Sequence, residues 1–144
     1  MSLQSNETVV RVLYKDTDKM GVVYYANYLV WFEIGRTEYF RELGLPYVEF
    51  EKHDILMPVI NVSCTYKLPA YYDDQIKIIT SLQSLQGTRI SFYYQIKRDT
   101  YLLAYGNTEH AFINHKGKPL ALNKFNPEIW ERLQGVSTIS SELN

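Results

Sequence analysis

The chain has 144 residues, the size of one domain, and its 15 lysines and arginines nearly balance 16 aspartates and glutamates. A formal net charge of −1 excludes the strongly basic surface that broad attraction to nucleic acid or membranes requires. Tyrosine is unusually frequent, with 13 residues, and is typical of interfaces and half-wet pockets because it joins an apolar ring to a polar tip.

The compartment is indicated by the cysteine content and by the absence of targeting features. Cys64 is the only cysteine, so no internal disulfide can form, which fits a reducing environment. Residues 1–8 are polar and show neither a basic nor an apolar signal-peptide region. No apolar run approaches the ~20 residues that a membrane helix needs. These features predict a cytoplasmic protein with no integral membrane segment.

The first predicted elements in chain order are a strand, an acidic turn and a long helix. Residues 9–14 are rich in β-formers and predict a strand, whereas Asp16-Thr17-Asp18 has the chemistry of a turn. From there to Leu45, apolar or small residues recur every three or four positions and predict one helix face: Tyr28, Phe32, Gly35, Tyr39 and Leu43. Asn27 is the predicted N-cap, and Gly44 is suited to the residue just past the helix end.

The second half of the chain predicts four strands and a short helix. Residues 47–58 are expected to be irregular, and β-rich or alternating patterns predict strands over 59–68, 76–82, 90–96 and 102–113. Small residues on one face of the last strand, such as Gly106, would let a helix approach closely. A short C-terminal helix is predicted over about 126–133, with a frayed tail from Gly135. An antiparallel sheet with one central helix on its face is the economical arrangement.

Several common catalytic signatures are missing from the sequence. There is no Gly-x-Ser-x-Gly elbow, no Walker loop and no Gly-x-Gly-x-x-Gly motif. His53, His110 and His115 lack metal-ligand spacing, and Cys64 has no partner cysteine. The sequence therefore disfavours an ordinary serine hydrolase, a nucleotide enzyme or a zinc enzyme, and it predicts no metal site.

One segment resembles the motif of a known family. It runs Asp16-Thr17-Asp18-x-x-Gly21-Val22-Val23-Tyr24-Tyr25-Ala26-Asn27-Tyr28 and is followed on the helix by Glu33-x-x-Arg36. From about Val9 to Leu122 the chain resembles the hot-dog-fold acyl-CoA thioesterases of the 4-hydroxybenzoyl-CoA thioesterase group and its Tol–Pal-associated relatives. The resemblance implies an α+β hot-dog fold, with a five-stranded antiparallel sheet wrapped around a long central helix. It implies a single domain over 1–144 with its core at about 9–122.

The resemblance also implies the catalytic residues. The essential aspartate of the family falls on Asp18, which attacks the thioester or activates a water that does; both routes stay open. The carbonyl-polarising amide falls on the backbone N–H of Tyr25, at the helix start, where amides lack intrahelical partners. Tol–Pal-associated relatives often have histidine at this position, whereas the hydroxybenzoyl-type enzyme has tyrosine. Asp16 is expected to hydrogen-bond turn amides and hold Asp18 in place.

Substrate contacts are predicted at two places. Within the motif they are Gly21, Val22 and Val23, and Gly21 is expected to provide close approach or an unusual backbone angle. Arg89 opens a strand where relatives often carry basic residues near coenzyme A phosphates, and it is preferred over four other candidates: Lys97, Arg98, Lys116 and Lys118. On the helix, Glu33 and Arg36 favour a structural interpretation, an intrahelical ion pair, over a role for Glu33 as a water-orienting acid. His110 is expected to pack within the sheet.

The resemblance predicts an acyl-CoA thioesterase that produces a free acid and coenzyme A. No metal or redox cofactor is expected, since coenzyme A is part of the substrate. The family places its sites between subunits, so a homodimer or homotetramer is expected. Two alternatives stay open: a thioesterase acting on acyl carrier protein, and a non-catalytic acyl-CoA-binding protein. The sequence leaves the acyl group undetermined.

Overall fold

A computed structural model of the protein describes the backbone of residues 5–143 and the side chains of residues 5–135. Its strands are β1 (Ser5–Arg11), β2 (Val59–Tyr66), β3 (Gln75–Gln86), β4 (Arg89–Arg98) and β5 (Tyr101–Ala111). Its helices are α1 (Asn27–Glu42), α2 (Tyr47–Lys52), α3 (Leu122–Phe125) and α4 (Pro127–Leu143). The strand order is β1-β3-β4-β5-β2 with every neighbouring pair antiparallel, which confirms the predicted α+β class and five-stranded sheet. Residues 1–4 and 144 of the predicted domain lie outside the described residues.

The long helix α1 packs against one face of the sheet, and aromatic rings fill the space between them. Phe32 stacks on Tyr94 of β4 with ring centroids 4.3 Å apart, and Tyr39 meets Phe92 edge-on at 5.6 Å. Gly35 permits the close approach, since a Cβ atom there would lie 2.3 Å from the Thr80 hydroxyl oxygen of β3. Most of the predicted helix face is buried: Tyr28, Phe32, Gly35 and Tyr39.

The two ends of α1 are held by different means. Ala26 occupies the N-cap position instead of the predicted Asn27. The side-chain amide of Asn27 donates to the Asp16 carbonyl at 2.8 Å and so caps no helix amide. At the other end, Gly44 has a positive φ of 83°, as expected of a residue that ends a helix. The Arg132 guanidinium of α4 donates to the Leu43 carbonyl at 2.9 Å and satisfies one of the last helix acceptors.

Several predicted boundaries were wrong for reasons of pairing and packing. The segment 47–58 is not wholly irregular, because α2 forms after Pro46 and buries Phe50 against Phe40 with ring centroids 5.0 Å apart. β3 and β4 extend to the two-residue turn between them, and β1 lies earlier than predicted because Ser5–Arg11 pairs with β3. α4 continues to Leu143, so the predicted frayed tail from Gly135 is helical instead.

The strand β2 forms one edge of the sheet. It pairs with β5 on one side, and within the described residues no strand covers its other side. All of its residues except Cys64 are exposed, and apolar side chains are frequent among them: Val59, Ile60, Val62 and Tyr66. Leu29 and Val30 of α1 are exposed as well.

In the described part of the chain, no helix has the length and apolar character needed to cross a membrane.

Candidate active site

The acidic turn that precedes α1 is organised by Asp16. Its carboxylate accepts the Leu13 amide at 2.9 Å, and its carbonyl accepts the Tyr24 amide at 2.9 Å and the Asn27 side chain. These bonds join both ends of the turn to one residue. The prediction that Asp16 hydrogen-bonds turn amides is therefore confirmed.

Asp18 lies at the exposed tip of the same turn. Its Oδ1 accepts the Met20 amide at 2.8 Å, and its own amide donates to the Val22 carbonyl at 2.8 Å. Gly21 donates to the Asp18 carbonyl at 3.0 Å and has a positive φ of 80°, and a Cβ atom added to it would have no other atom within 4 Å. Gly21 thus supplies an unusual backbone angle rather than close approach. The local bonds orient the Asp18 carboxylate, which remains accessible to solvent.

The Tyr25 backbone lies between this turn and α1. Among the described residues, no acceptor receives the Tyr25 amide, whereas the Tyr24 and Asn27 amides are both paired. The Tyr25 carbonyl accepts the Tyr66 hydroxyl at 2.8 Å, which ties this backbone segment to the end of β2. An unpaired amide just before a helix is suited to bind developing negative charge.

A cavity of about 310 Å³ opens beside the Tyr25 backbone. Its lining residues come from the motif, the start of α1 and the end of β2: Val23, Tyr25, Tyr28, Tyr66, Lys67, Leu68 and Pro69. The Tyr28 and Tyr66 rings meet edge-on with centroids 4.9 Å apart. Burial raises the pKa of both hydroxyls, so both are protonated near neutral pH. Asp18 does not line this cavity in the single chain.

A second cavity, of about 330 Å³, lies further along the same two elements. It is lined mainly by aliphatic side chains, with three polar residues: Leu29, Val30, Glu33, Arg36, Val59, Val62 and Thr108. Since both cavities have walls from α1 and β2, we call them together the α1–β2 groove. Within residues 5–135 no ion pair joins Glu33 to Arg36, and neither forms one with another residue. The predicted intrahelical pair was therefore wrong.

A chain of buried polar groups runs beneath the second cavity. His110 Nδ1 lies 3.0 Å from the Met57 carbonyl, and Nε2 lies 2.8 Å from the Thr108 hydroxyl, which is 2.6 Å from the Tyr94 hydroxyl. Burial lowers the pKa of His110 to about 4, so the ring is neutral near pH 7. Nδ1 therefore donates to the carbonyl, Thr108 donates to Nε2, and Tyr94 donates to Thr108. The expected packing of His110 within the sheet is confirmed.

The basic residues fall at different ends of β4. Arg89 lines neither cavity and pairs with Glu109 of β5 at 2.8 Å. It begins a strand of 10 residues, roughly 30 Å long, whose other end lies near the first cavity. At that end Arg98 pairs with Asp74 at 2.8 Å and donates to the Pro69 carbonyl at 3.1 Å. Within one chain, Arg89 is thus far from the motif.

The structure brings some predicted residues to the groove and adds others. Val23 lines the first cavity and donates its amide to the Ala70 carbonyl, whereas Val22 pairs with Tyr71 beside it. Tyr66 and Lys67 were missed, since no local pattern shows that the end of β2 lies against the start of α1. Among the described residues, no group of three or more histidine, cysteine, aspartate or glutamate side chains could hold a metal ion.

The chain is similar to known proteins over most of its length. Residues 12–133 match the family model of the thioesterase-like superfamily. The acyl-CoA thioesterase YbgC of Haemophilus influenzae is 35% identical over 117 residues, or 80% of this chain and 86% of that protein. YneP of Bacillus subtilis is 34% identical over 121 residues, or 83% of this chain and 88% of that protein. The structure of DHNA-CoA thioesterase from Staphylococcus aureus superposes with a TM-score of 0.92 at 31% identity, covering 97% of this chain and 95% of that one.

Proposed function

Because the chain belongs to the thioesterase-like superfamily and is a thioester hydrolase, we propose that it hydrolyses an acyl-CoA to a free acid and coenzyme A. The family and the hot-dog fold implied by the motif are thereby confirmed. The proposal of a coenzyme A ester is supported by two relatives, whose names specify acyl-CoA and DHNA-CoA. The observation that carries it is the unpaired Tyr25 amide at the mouth of the α1–β2 groove, in continuity with the Asp18 turn.

The first mechanistic step is polarisation of the thioester carbonyl by the Tyr25 amide. The carbonyl oxygen gains negative charge as the tetrahedral intermediate forms, and a fixed N–H donor stabilises that charge. One such donor contributes roughly 10²–10³-fold to the rate in other enzymes. The Tyr66 bond to the Tyr25 carbonyl restrains the neighbouring peptide and helps to keep the donor in place.

Asp18 supplies the second step by one of two routes. As nucleophile, its carboxylate oxygen attacks the carbonyl carbon, the thiolate of coenzyme A leaves, and water hydrolyses the resulting anhydride. As general base, it takes a proton from a water whose oxygen attacks the same carbon, and coenzyme A again leaves. The bond from the Met20 amide to Oδ1 orients the carboxylate for either route.

A second copy of the chain completes the proposed site. The uncovered β2 edge carries exposed apolar residues, which favours a homodimer or homotetramer built through this edge. Two copies related by a two-fold axis would pair their β2 strands antiparallel. Arg89 of β4 lies at the same end of the sheet as Val59, the first residue of β2. In an antiparallel pair of β2 strands, the Arg89 of a second copy would therefore approach the Tyr66 end of β2 in the first copy. We propose that Arg89 contacts coenzyme A phosphates across this interface.

The experiment that tests the function is thiol release from a panel of purified acyl-CoA esters and matched acyl carrier protein esters. Turnover of acyl-CoA by the wild-type protein is the expected result. Faster turnover of the carrier-protein esters would favour that alternative substrate, since the pantetheine thioester is the same. Tight acyl-CoA binding without thiol release from any ester would contradict the proposal and favour a binding protein.

A further inference from the structure

Arg36 is a half-buried cation that lines the second cavity. Among residues 5–135, no carboxylate lies within ion-pair distance of its guanidinium, although Glu33 lines the same cavity one helical turn away. Taking a charge partly out of water without pairing it has a free-energy cost, so cations in such positions are normally compensated. The two opposite charges line the same cavity without forming an ion pair, which leaves the guanidinium available to a ligand group.

Two tyrosine hydroxyls face the Arg36 guanidinium. Burial raises the pKa of Tyr94 to about 12, and the charge and hydrogen bond of Arg36 act against that rise. Since Tyr94 donates its proton to Thr108, its oxygen is left to accept from Arg36. Tyr47 faces the same guanidinium from α2. These two hydroxyls can orient the guanidinium at the wall of the cavity that Arg36 lines.

The position of Arg36 along the groove specifies which part of a substrate it would meet. Arg36 lies nine residues beyond Asn27, which corresponds to roughly 14 Å along the helix axis. Besides Glu33, Arg36 and Thr108, the second cavity is lined by aliphatic side chains: Leu29, Val30, Val59 and Val62. The groove thus has a hydrogen-bond donor for the thioester at one end and a mainly apolar middle, with Arg36 at the far end one helical turn beyond Glu33.

We propose that Arg36 is a specificity-determining residue that selects acyl groups carrying a neutral oxygen, a hydroxyl or a keto group, at the distal end. This proposal rests on the proposed function. The guanidinium donates to such an oxygen, and Glu33 can accept the proton of a hydroxyl. A distal carboxylate fits less well because Glu33 lines the same cavity and would repel it. A plain alkyl end displaces water from the guanidinium without replacing its hydrogen bonds and is disfavoured.

The test compares kcat/KM for octanoyl-CoA with its distal hydroxyl, keto and carboxyl analogues. For the wild-type enzyme we expect the hydroxyl and keto substrates to exceed octanoyl-CoA by about tenfold or more, the usual size of a hydrogen bond to a charged group. Arg36→Met keeps much of the side-chain volume and should abolish this preference. Arg41→Met is the matched control, because Arg41 is an exposed arginine of the same helix that pairs with Glu38, and its preference should stay at the wild-type value.

Tyr94→Phe tests the positioning of Arg36 separately. It preserves the ring that stacks on Phe32 and removes the hydroxyl, so the preference for oxygenated substrates should fall while the thermal unfolding transition stays cooperative. A wild-type enzyme that treats all four substrates alike, or prefers the carboxyl analogue, would overturn the proposal. So would an unchanged preference in Arg36→Met. Failure of the proposed function looks different, since no acyl-CoA would then release a thiol.

Discussion

Asp16 and Asp18 stand two residues apart in one turn and have different hydrogen-bonding roles. Asp16 joins the two ends of the turn through Leu13, Tyr24 and Asn27, whereas the carboxylate of Asp18 accepts one local amide at the exposed tip. The first arrangement is structural and the second leaves a carboxylate available to a reactant. This division supports the assignment of Asp18 rather than Asp16 to the chemistry.

The Asp18→Asn variant tests that assignment. The carboxamide can still accept the Met20 amide but lacks the charge, so we expect turnover to fall by at least ~10²-fold while the protein stays folded. Asp16→Asn is the control and should keep most activity, because its amide oxygen can accept from Leu13. Steady-state thiol release measures both. An active Asp18→Asn beside an inactive Asp16→Asn would show that the carboxylates have the opposite roles.

The Tyr25→Phe variant separates the backbone amide from the phenolic hydroxyl. The N–H survives this substitution, so we expect kcat/KM to stay within roughly tenfold, or ~1.4 kcal/mol, of the wild-type value. Circular dichroism and light scattering should show an unchanged fold and oligomer. If the folded variant loses as much activity as Asp18→Asn, the hydroxyl and not the amide is the essential group.

The buried His110 should make the stability of the protein depend on pH. Burial lowers its pKa to about 4 in the folded state from an ordinary value near 6.5, so the unfolded chain binds the extra proton first. The neutral ring makes its full contribution to the free energy of unfolding above about pH 6.5. This contribution falls by up to ~3 kcal/mol as the pH falls towards 4. Urea unfolding measures the free energy of unfolding near pH 7 and near pH 4.5. The difference between these two values should be smaller in His110→Gln than in the wild type. Equal differences in the two proteins would contradict this.

Residue roles that depend on local sequence were predictable, and those that depend on distant pairing were not. The turn around Asp16 and the φ of Gly21 follow from residues close in sequence. The missing Glu33–Arg36 pair does not follow from local sequence, since the Tyr47 and Tyr94 hydroxyls that face Arg36 lie on two other elements. Helical spacing allowed the ion pair but could not show the competing hydroxyls.

At the scale of elements, the contact between α1 and β3 depends on a missing side chain. Gly35→Ala would place a methyl group 2.3 Å from the Thr80 hydroxyl and 2.8 Å from Ile78, so α1 must shift. Overpacking of this kind destabilises by about 1–3 kcal/mol, against a helix-propensity gain of about 1 kcal/mol. We therefore expect a net loss of stability in urea or thermal unfolding.

The chain offers a matched control for this substitution. Gly135→Ala lies in α4 with nothing within 4 Å of the added carbon, so it should be neutral or slightly stabilising. Combining Gly35→Ala with Thr80→Ala removes the nearest clash and should recover part of the loss. A Gly35→Ala protein at least as stable as the wild type would mean that α1 and β3 can separate at no cost.

The order and type of the main elements could be predicted because their periodicity is strong. The buried face of α1 and the inward face of β5 both follow from spacing alone. The ends of the elements could not, since β1 and β3 extend as far as their pairing does and α2 forms where Phe50 finds Phe40. The local pattern also predicted a shorter α4 than the helix that the structure shows.

At the scale of the whole molecule, strand order determines where the groove and the uncovered edge lie. The sequence predicts the strands but not that β2 follows β5 at the sheet edge, beside α1. This placement exposes the apolar residues of β2 and leaves both cavities open on one side. We expect a second copy at this edge to cover the apolar residues and close the groove, so that activity would depend on assembly.

The Ile60→Lys variant tests that link. Ile60 is an exposed residue at the irregular start of β2 and lines neither cavity, so a charge there should oppose edge-to-edge association without altering the groove directly. We expect light scattering to show a shift towards monomer, with a parallel loss of thiol release that recovers at higher protein concentration. Val48→Lys is the control, because Val48 on α2 is 51% exposed compared with 46% for Ile60, and it should change neither property. A monomeric Ile60→Lys protein with full activity would show that one chain contains a complete site, and the proposed contact of Arg89 across the interface would then be wrong.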